Sequence, residues 1–267
     1  MKNLNGRTTF ALGLALFAGS LANAQDRQPV SGVTGSPAQG DSRIEVGLSF
    51  AQTLGSTTFG STQTIKDYSE DGTLKSSYDV GGAPGAAFDL QYNLSGKFGV
   101  RAGFQTFSRK SEGTFEAQVP HPFFFSRLRS VSGTETDMGF SESAISLTAV
   151  YRAGSGKWKV NVEGGPAFFS VDATIADRIQ LGETYPYDTV QFGGVTSSKK
   201  KVSPIGFAVG LEVGRDLSNS VAAVIQGRYS QATGDLDVNG QKMSVKAGGG
   251  SVRLGLRVTL ARKKVGS

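Results

Sequence analysis

The sequence predicts an all-β protein: an eight-stranded, antiparallel, up-and-down transmembrane β-barrel with short periplasmic turns and long extracellular loops. Three observations carry this prediction. Apolar residues alternate with polar or small ones from Ser42 almost to the end of the chain, the period of a strand with two unlike faces. After residue 24 no apolar run approaches the ~20 residues that a membrane-crossing helix needs. The connections between the alternating segments are short and long in strict turn, the asymmetry of an outer-membrane barrel.

The first 24 residues stand apart. Lys2 and Arg7 supply a positive start, FALGLALFAGSL (10–21) a short apolar stretch, and Ala22-Asn23-Ala24 an A-x-A cleavage site, together a secretory signal peptide. Residues 25–41, QDRQPVSGVTGSPAQGD, hold almost nothing to bury and are expected to form a flexible leader. The barrel is expected over 42–262, followed by a basic C-terminal tail, 263–267. The protein is therefore expected in the outer membrane of a diderm bacterium, exported through a cleaved signal peptide. With no cysteine in 267 residues, it has neither a disulfide framework nor a lipoprotein anchor. Without Lys2 and Arg7, 26 of the 28 basic residues face 22 acidic ones, a scattered surplus that gives no reason to expect nucleic acid as a partner.

Eight segments follow in order. RIEVGLSF carries Ile44, Val46, Leu48 and Phe50 on one face; AAFDLQYN carries Phe88, Leu90 and Tyr92; FGVRAGFQTF carries Phe98, Val100, Ala102 and Phe104; ISLTAVYR carries Ile145, Leu147, Ala149 and Tyr151. WKVNVEGGPAFFS opens with Trp158, Val160 and Val162; PIGFAVGLEVGR carries Ile205, Phe207, Val209, Leu211 and Val213; VAAVIQGRYS carries Val221, Ala223, Ile225 and Tyr229. The eighth, SVRLGLRVTL, sets Val252, Leu254, Leu256, Val258 and Leu260 against Arg253 and Arg257. Each is close to the ~9–11 residues of a tilted membrane strand. LSGK, AGSGK and DLSNS are the tight turns. Residues 52–85, 109–143, 172–203 and 231–249 are the long loops, and the Asp-Gly of SEDGTL (69–74) and Asn-Gly of DVNGQK (237–242) mark hairpin bends in the first and last.

The aliphatic row is expected to face lipid. Aromatic residues gather at strand ends, Tyr92, Phe98, Tyr151 and Trp158 by the short turns and Phe50, Phe88, Phe104, Phe168 and Tyr229 toward the loops, as two interfacial girdles require. The opposite face is small and ionic. It holds Gly47, Gly103, Gly206, Gly210, Gly214 and Gly255 with Glu45, Asp89, Arg101, Arg152, Glu163, Glu212, Arg228, Arg253 and Arg257, a composition suited to a narrow interior where bulky charges reach across to one another. Glu45 and Arg257 are expected within salt-bridge reach where the first and last strands meet.

The signal peptide, the alternating strands, the short and long connections and the final VRLGLRVTL strand resemble the eight-stranded outer-membrane barrels of the OmpA/OmpX type over about residues 42–262. The resemblance implies a closed barrel, outer-membrane lipid and lipopolysaccharide around it, and the barrel assembly machinery as a partner during biogenesis. One feature departs from the pattern: many such barrels end on an aromatic residue, whereas this last strand ends at Leu260 before ARKKVGS. A soluble, exported lipocalin-like ligand binder is the alternative fold, and it needs a solvated outer face that the Gly/Arg row makes poorly.

No catalytic, cofactor or metal constellation is evident. The single histidine, His121, lies in VPHPFFF with Ser126 nearby, but no acid and no rigid support accompany them, so it is expected to be a surface loop histidine. Metal-ligand spacings are absent, and SEDGTL lacks the ligand alternation of a calcium loop. Phe123, Phe124 and Phe125 are candidate loop contacts, although packing against neighbouring loops is expected to cover them. Lys199, Lys200 and Lys201, in the SSKKK run of the third loop, could meet lipopolysaccharide phosphates but are expected to be a solvated loop. The expected role is structural or loop-mediated binding of a surface ligand around a filled lumen, with a narrow channel or small-molecule transporter as the alternative. No enzymatic activity is expected.

Overall fold

A computed structural model describes residues 44–95, 97–153, 157–238 and 241–260. The expected signal peptide, leader and basic tail lie outside the described residues, as do Gly96, residues 154–156 in the second short turn, and the Asn239-Gly240 pair.

Eleven strands are present among the described residues: β1 (Ile44–Leu54), β2 (Thr57–Asp67), β3 (Glu70–Val80), β4 (Pro84–Asn93), β5 (Phe98–Pro120), β6 (Leu128–Ala153), β7 (Trp158–Glu183), β8 (Val190–Val202), β9 (Ile205–Asp216), β10 (Val221–Val238) and β11 (Gln241–Leu260). Eight of them form a closed antiparallel ring, β1-β4-β5-β6-β7-β9-β10-β11. The last strand returns to the first with Ile44 opposite Leu260 and Leu54 opposite Gly250. Closure leaves the ring no free edge, so its backbone polar groups are satisfied within the sheet. Among the described residues no helix is long and apolar enough to cross a membrane.

Much of the sequence expected to loop is strand. β2 and β3 form a hairpin whose β3 pairs with the far half of β5, β5 and β6 stay paired to Pro120 and Leu128, β8 pairs with the far half of β7, and β10 and β11 pair out to Val238 and Gln241. The lysines of the SSKKK run therefore lie on a strand, with Lys199, Lys200 and Lys201 opposite Thr174, Ala173 and Asp172. The first hairpin bend also differs from expectation. Asp67 pairs with Glu70, so Tyr68 and Ser69, with φ of 50° and 65°, make the turn, and Asp71-Gly72 sits within β3. Two successive residues with positive φ match the twist of a tight hairpin better than the Asp-Gly signal two positions later.

The physical reason for the extensions is visible along β5. Odd-numbered residues face inward over its whole length. In the lower part these are Arg101, Gly103 and Gln105, with Ala102 and Phe104 outward; in the upper part they are Phe115, Ala117 and Val119, with Thr114, Glu116 and Gln118 outward. The faces do not change but their chemistry is exchanged, because the surroundings change from lipid to water. The upper strands enclose an apolar core in which Leu74, Tyr78, Phe115, Val119, Ile175, Leu236 and Met243 are buried. The molecule is thus an ionic-cored barrel continued upward into an apolar-cored crown.

Candidate functional site: an ionic lumen and an aromatic tip

The outer surface of the lower ring decides how the molecule is placed. Leu48, Leu90, Leu147, Leu211, Ile225, Leu254 and Leu256 are all about half exposed, a burden that no water-facing sheet carries across every strand. Phe50, Phe88, Phe104, Phe168 and Tyr229 stand at one edge of this band, and Tyr92, Phe98, Tyr151 and Trp158 at the other; all are exposed. Phe98 packs on Tyr151 with ring centroids 5.3 Å apart, and the Arg215 guanidinium lies 5.5 Å from the Trp158 ring. Such a band with two aromatic rims is the lipid contact of a barrel. An inward-facing aliphatic row, which the lipocalin-like alternative requires, is not what the strands form.

Inside the band, charges from strands all round the ring meet. Arg101 on β5 reaches Glu163 Oε2 at 2.7 Å and Glu212 Oε2 at 3.0 Å, with Asp89 at 3.5 Å. Its Nε and Nη2 donate to Gln91 Oε1 at 3.0 and 2.6 Å. Arg257 on β11 donates through Nη2 to Asp89 Oδ1 at 2.6 Å and Glu212 Oε2 at 2.7 Å, and lies 3.8 Å from Glu45. Glu45 also takes Arg152 at 2.8 Å and Asn93 at 2.9 Å. Glu163 receives Gln226 at 2.9 Å and Arg228 at 3.4 Å. Arg253 is held by the neutral acceptors Gln105 and Gln226. All of these arginines and acids except Arg152 are nearly inaccessible to solvent. Buried charges survive only when paired and hydrogen-bonded; seven of these side chains, one from each of seven strands, do this for one another, and Arg253 relies on its neutral partners.

Glycine makes the crossing geometry fit. A Cβ at Gly47 would stand 2.1 Å from Asp89 Oδ2, and one at Gly210 would meet Glu163 Oε1 at 3.0 Å. Each leaves room for a carboxylate from the neighbouring strand to lean across the interior.

Sequence parity passed over the neutral members of the network, Gln91, Asn93, Gln105, Asn161 and Gln226, although they share the inward phase. Glu142 was also missed. It is buried on β6 and accepts the Gly248 N–H at 3.0 Å. With Gln105, Arg228, Ser230 and Gly248 it lines a chamber of about 10 Å³ between the ionic layer and the crown core, about the space of one water molecule.

Comparison with known proteins places the fold in context. No family model matches the chain, and no curated protein matches it in sequence. Among solved structures it is similar to Ail, the attachment invasion locus protein of Yersinia pestis, at 11% identity over 82% of this chain and 99% of that one, with a TM-score of 0.40. Neisserial surface protein A shares 13% identity over 81% and 97% of the two chains, with a TM-score of 0.42. The outer-membrane protease OmpT of Escherichia coli shares 11% identity over 82% and 97%, with a TM-score of 0.47. The closed ring and its lipid band are this chain's own. It has the fold of an eight-stranded, antiparallel transmembrane β-barrel.

At the top of the crown the β5–β6 connection presents Phe123, Phe124 and Phe125, which are 68%, 54% and 84% exposed, beside Tyr185 at 80%. The packing expected to cover the three rings is slight, because a tight connection at the end of a hairpin turns them outward. His121, expected on the surface, is instead buried. Its Nδ1 accepts the N–H groups of Phe123 and Phe124 at 3.1 and 3.3 Å, and its Nε2 faces Asp188 at 3.8 Å. The imidazole thus braces the connection from below.

Three connections are tied together around it. Tyr68 donates to Glu183 at 2.6 Å, Arg129 pairs with Glu183 at 2.5 Å, and the Ser126 N–H donates to Glu70 at 3.1–3.2 Å. Burial alone would push the Glu183 carboxyl up, but the Tyr68 and Arg129 hydrogen bonds outweigh it and hold the group below its ordinary range. The hydrogen bond to Glu183 in turn pushes the Tyr68 hydroxyl up to about 12. Among the described residues no cluster of His, Asp or Glu is arranged to hold a metal.

Proposed function

We propose that this protein is a closed barrel that anchors and displays its crown at the cell surface, where the crown binds a surface ligand. The observation that carries the reading is the double closure of the interior. The Arg101–Glu163–Glu212–Arg257–Asp89 network spans the lumen from wall to wall. The apolar core of the crown fills the space above it. A water-filled pore needs a wider ring, about 16–18 strands in porins, whereas eight strands leave an interior that side chains fill. Reaching the outer membrane requires export, for which residues 1–24 supply the signal to be removed. The short turns would then face the periplasm and the crown the outside.

Conductance tests the reading. Purified, refolded protein in a planar bilayer should pass no steady current at voltages that leave the bilayer intact. A stable, reproducible ion conductance would overturn closure and favour the narrow-channel alternative.

A further inference from the structure

We propose that the aromatic tip of the crown inserts into the outer leaflet of an apposed lipid bilayer, a partner that deepens, and rests on, the surface-binding role proposed above. The rings form one ridge drawn from two connections. Tyr185 lies edge-on to Tyr187 at 6.1 Å, Tyr187 to Phe123 at 5.4 Å, and Phe124 packs on His121 at 4.8 Å. Phe125 projects beyond them as the most exposed large apolar residue among those described.

The ridge is held open. The His121 N–H donates to Arg127 O at 2.8 Å, the Arg127 N–H to Phe124 O at 3.3 Å, and His121 Nδ1 takes two further N–H groups. A braced connection of this kind cannot fold back to bury its own rings.

Size and shape select the occupant. Aromatic side chains offer about 150–250 Å² each, so the exposed fractions of Phe123, Phe124, Phe125 and Tyr185 amount to on the order of 600 Å². That reaches the upper end of what a monomer leaves in one apolar patch and falls short of the ~800 Å² per partner of a specific protein complex. The surface is a convex ridge, which a folded protein could cover only with a matching groove, whereas a bilayer requires no complementary shape. The protein's own membrane is out of reach, because Phe104 of the outer girdle and Pro120 below the tip are separated by about 50 Å of strand. Arg127 stands half-exposed at the base of the ridge, 5.4 Å from the Phe124 ring and 3.0 Å from Asp188. A cation at the foot of apolar rings is placed for headgroup phosphates once the rings are immersed.

The test uses the full barrel reconstituted in lipid nanodiscs and mixed with separate phosphatidylcholine vesicles. Wild type should float with the vesicles. Phe123→Ser and Phe125→Ser, both at exposed positions, should each weaken binding by about tenfold, while heat-modifiable migration on gels stays unchanged. In a Trp158→Phe background, which removes the chain's one tryptophan, Phe125→Trp should shift its fluorescence to the blue on adding vesicles. Absent flotation, flotation unaffected by the two serine substitutions, or a fluorescence maximum that does not move would each overturn the lipid assignment. Because the conductance test does not involve the tip, failure here would leave the closed-barrel reading intact, and a conducting barrel would sink that reading whatever the vesicles do.

Discussion

Replacing Glu212 by glutamine should be among the most damaging isosteric changes available in this protein. Its carboxylate accepts from Asn161 at 2.8 Å, from Arg257 Nη2 at 2.7 Å and from Arg101 Nη2 at 3.2 Å, and forms a 3.0 Å ion pair with Arg101 Nη1. Glutamine keeps the volume but loses the charge. Its NH2 group must point at guanidinium N–H groups, which puts donor against donor wherever it turns. Removing one member of a buried ion network costs about 3–5 kcal/mol, because the charges left behind stay out of water. With a urea dependence of about 2 kcal/mol per molar, within the range seen for small proteins, the unfolding midpoint should fall by about 2 M. The fluorescence of Trp158, the only tryptophan, reports the transition in reconstituted vesicles.

A double substitution sharpens the test. Glu212→Gln with Arg257→Gln should cost clearly less than the two single changes added together, because the second removes a cation that the first strands. Lys66→Gln, which breaks a 3.8 Å pair with Asp71 on a well-exposed surface, should leave the midpoint where it was. A Glu212→Gln barrel that unfolds at the wild-type urea concentration would mean that lumen water solvates these charges. The low-dielectric reasoning, and with it the closed lumen, would then fail.

Two further predictions concern the crown. Because Glu183 is held below its ordinary pKa, its bridge to Tyr68 and Arg129 should contribute fully above pH ~5 and be lost as the pH falls through the lowered value. At the alkaline end Tyr68, raised to about 12, should keep the link well past pH 10 and release it as the pH passes 12. Spin labels on Lys66→Cys and Thr184→Cys, in a chain with no native cysteine, should show a distance distribution that broadens on acidification, and in a Glu183→Gln background the acid step should disappear. An acid step that persists there would assign it to another group. On intact cells, chymotrypsin should cut within 121–127 at Phe123–Phe125 and spare β2, including Phe59 in the GSTTFGSTQT stretch that its composition alone marks as a loop. Cleavage confined to 94–97 or 217–220 would mean that the short turns face outward.

The ring was legible because each of its strands meets two sharply different solvents. Where lipid lies on one side, a single-residue slip would bury the wrong face, so the alternation of SVRLGLRVTL and PIGFAVGLEVGR had to be clean. The crown was harder to read for the opposite reason. Above the girdle the outward face of β5 carries Thr114, Glu116 and Gln118 and that of β2 carries Thr58, Gly60, Thr62, Thr64 and Lys66, so the composition resembles a solvated loop. The inward face of β5, Phe115, Ala117 and Val119, reads as a core only once β3 and β6 are beside it. His121 was misjudged because flanking prolines argue for an exposed connection. Its burial comes from the backbone N–H groups of Phe123 and Phe124 and from Asp188 on a different connection.

The sequence by itself therefore determined which side chains share a face, how many strands close the ring and where the short turns fall, because these follow from a period of two and from local turn chemistry. Only the tertiary structure decided which carboxylate neutralises which arginine, that neutral Gln91 and Gln105 complete the lumen, and that three connections lock at Glu183. Those choices depend on distances of about 3 Å between residues as far apart in the chain as Asp89 and Arg257. No local pattern specifies them, since they exist only after the barrel has closed.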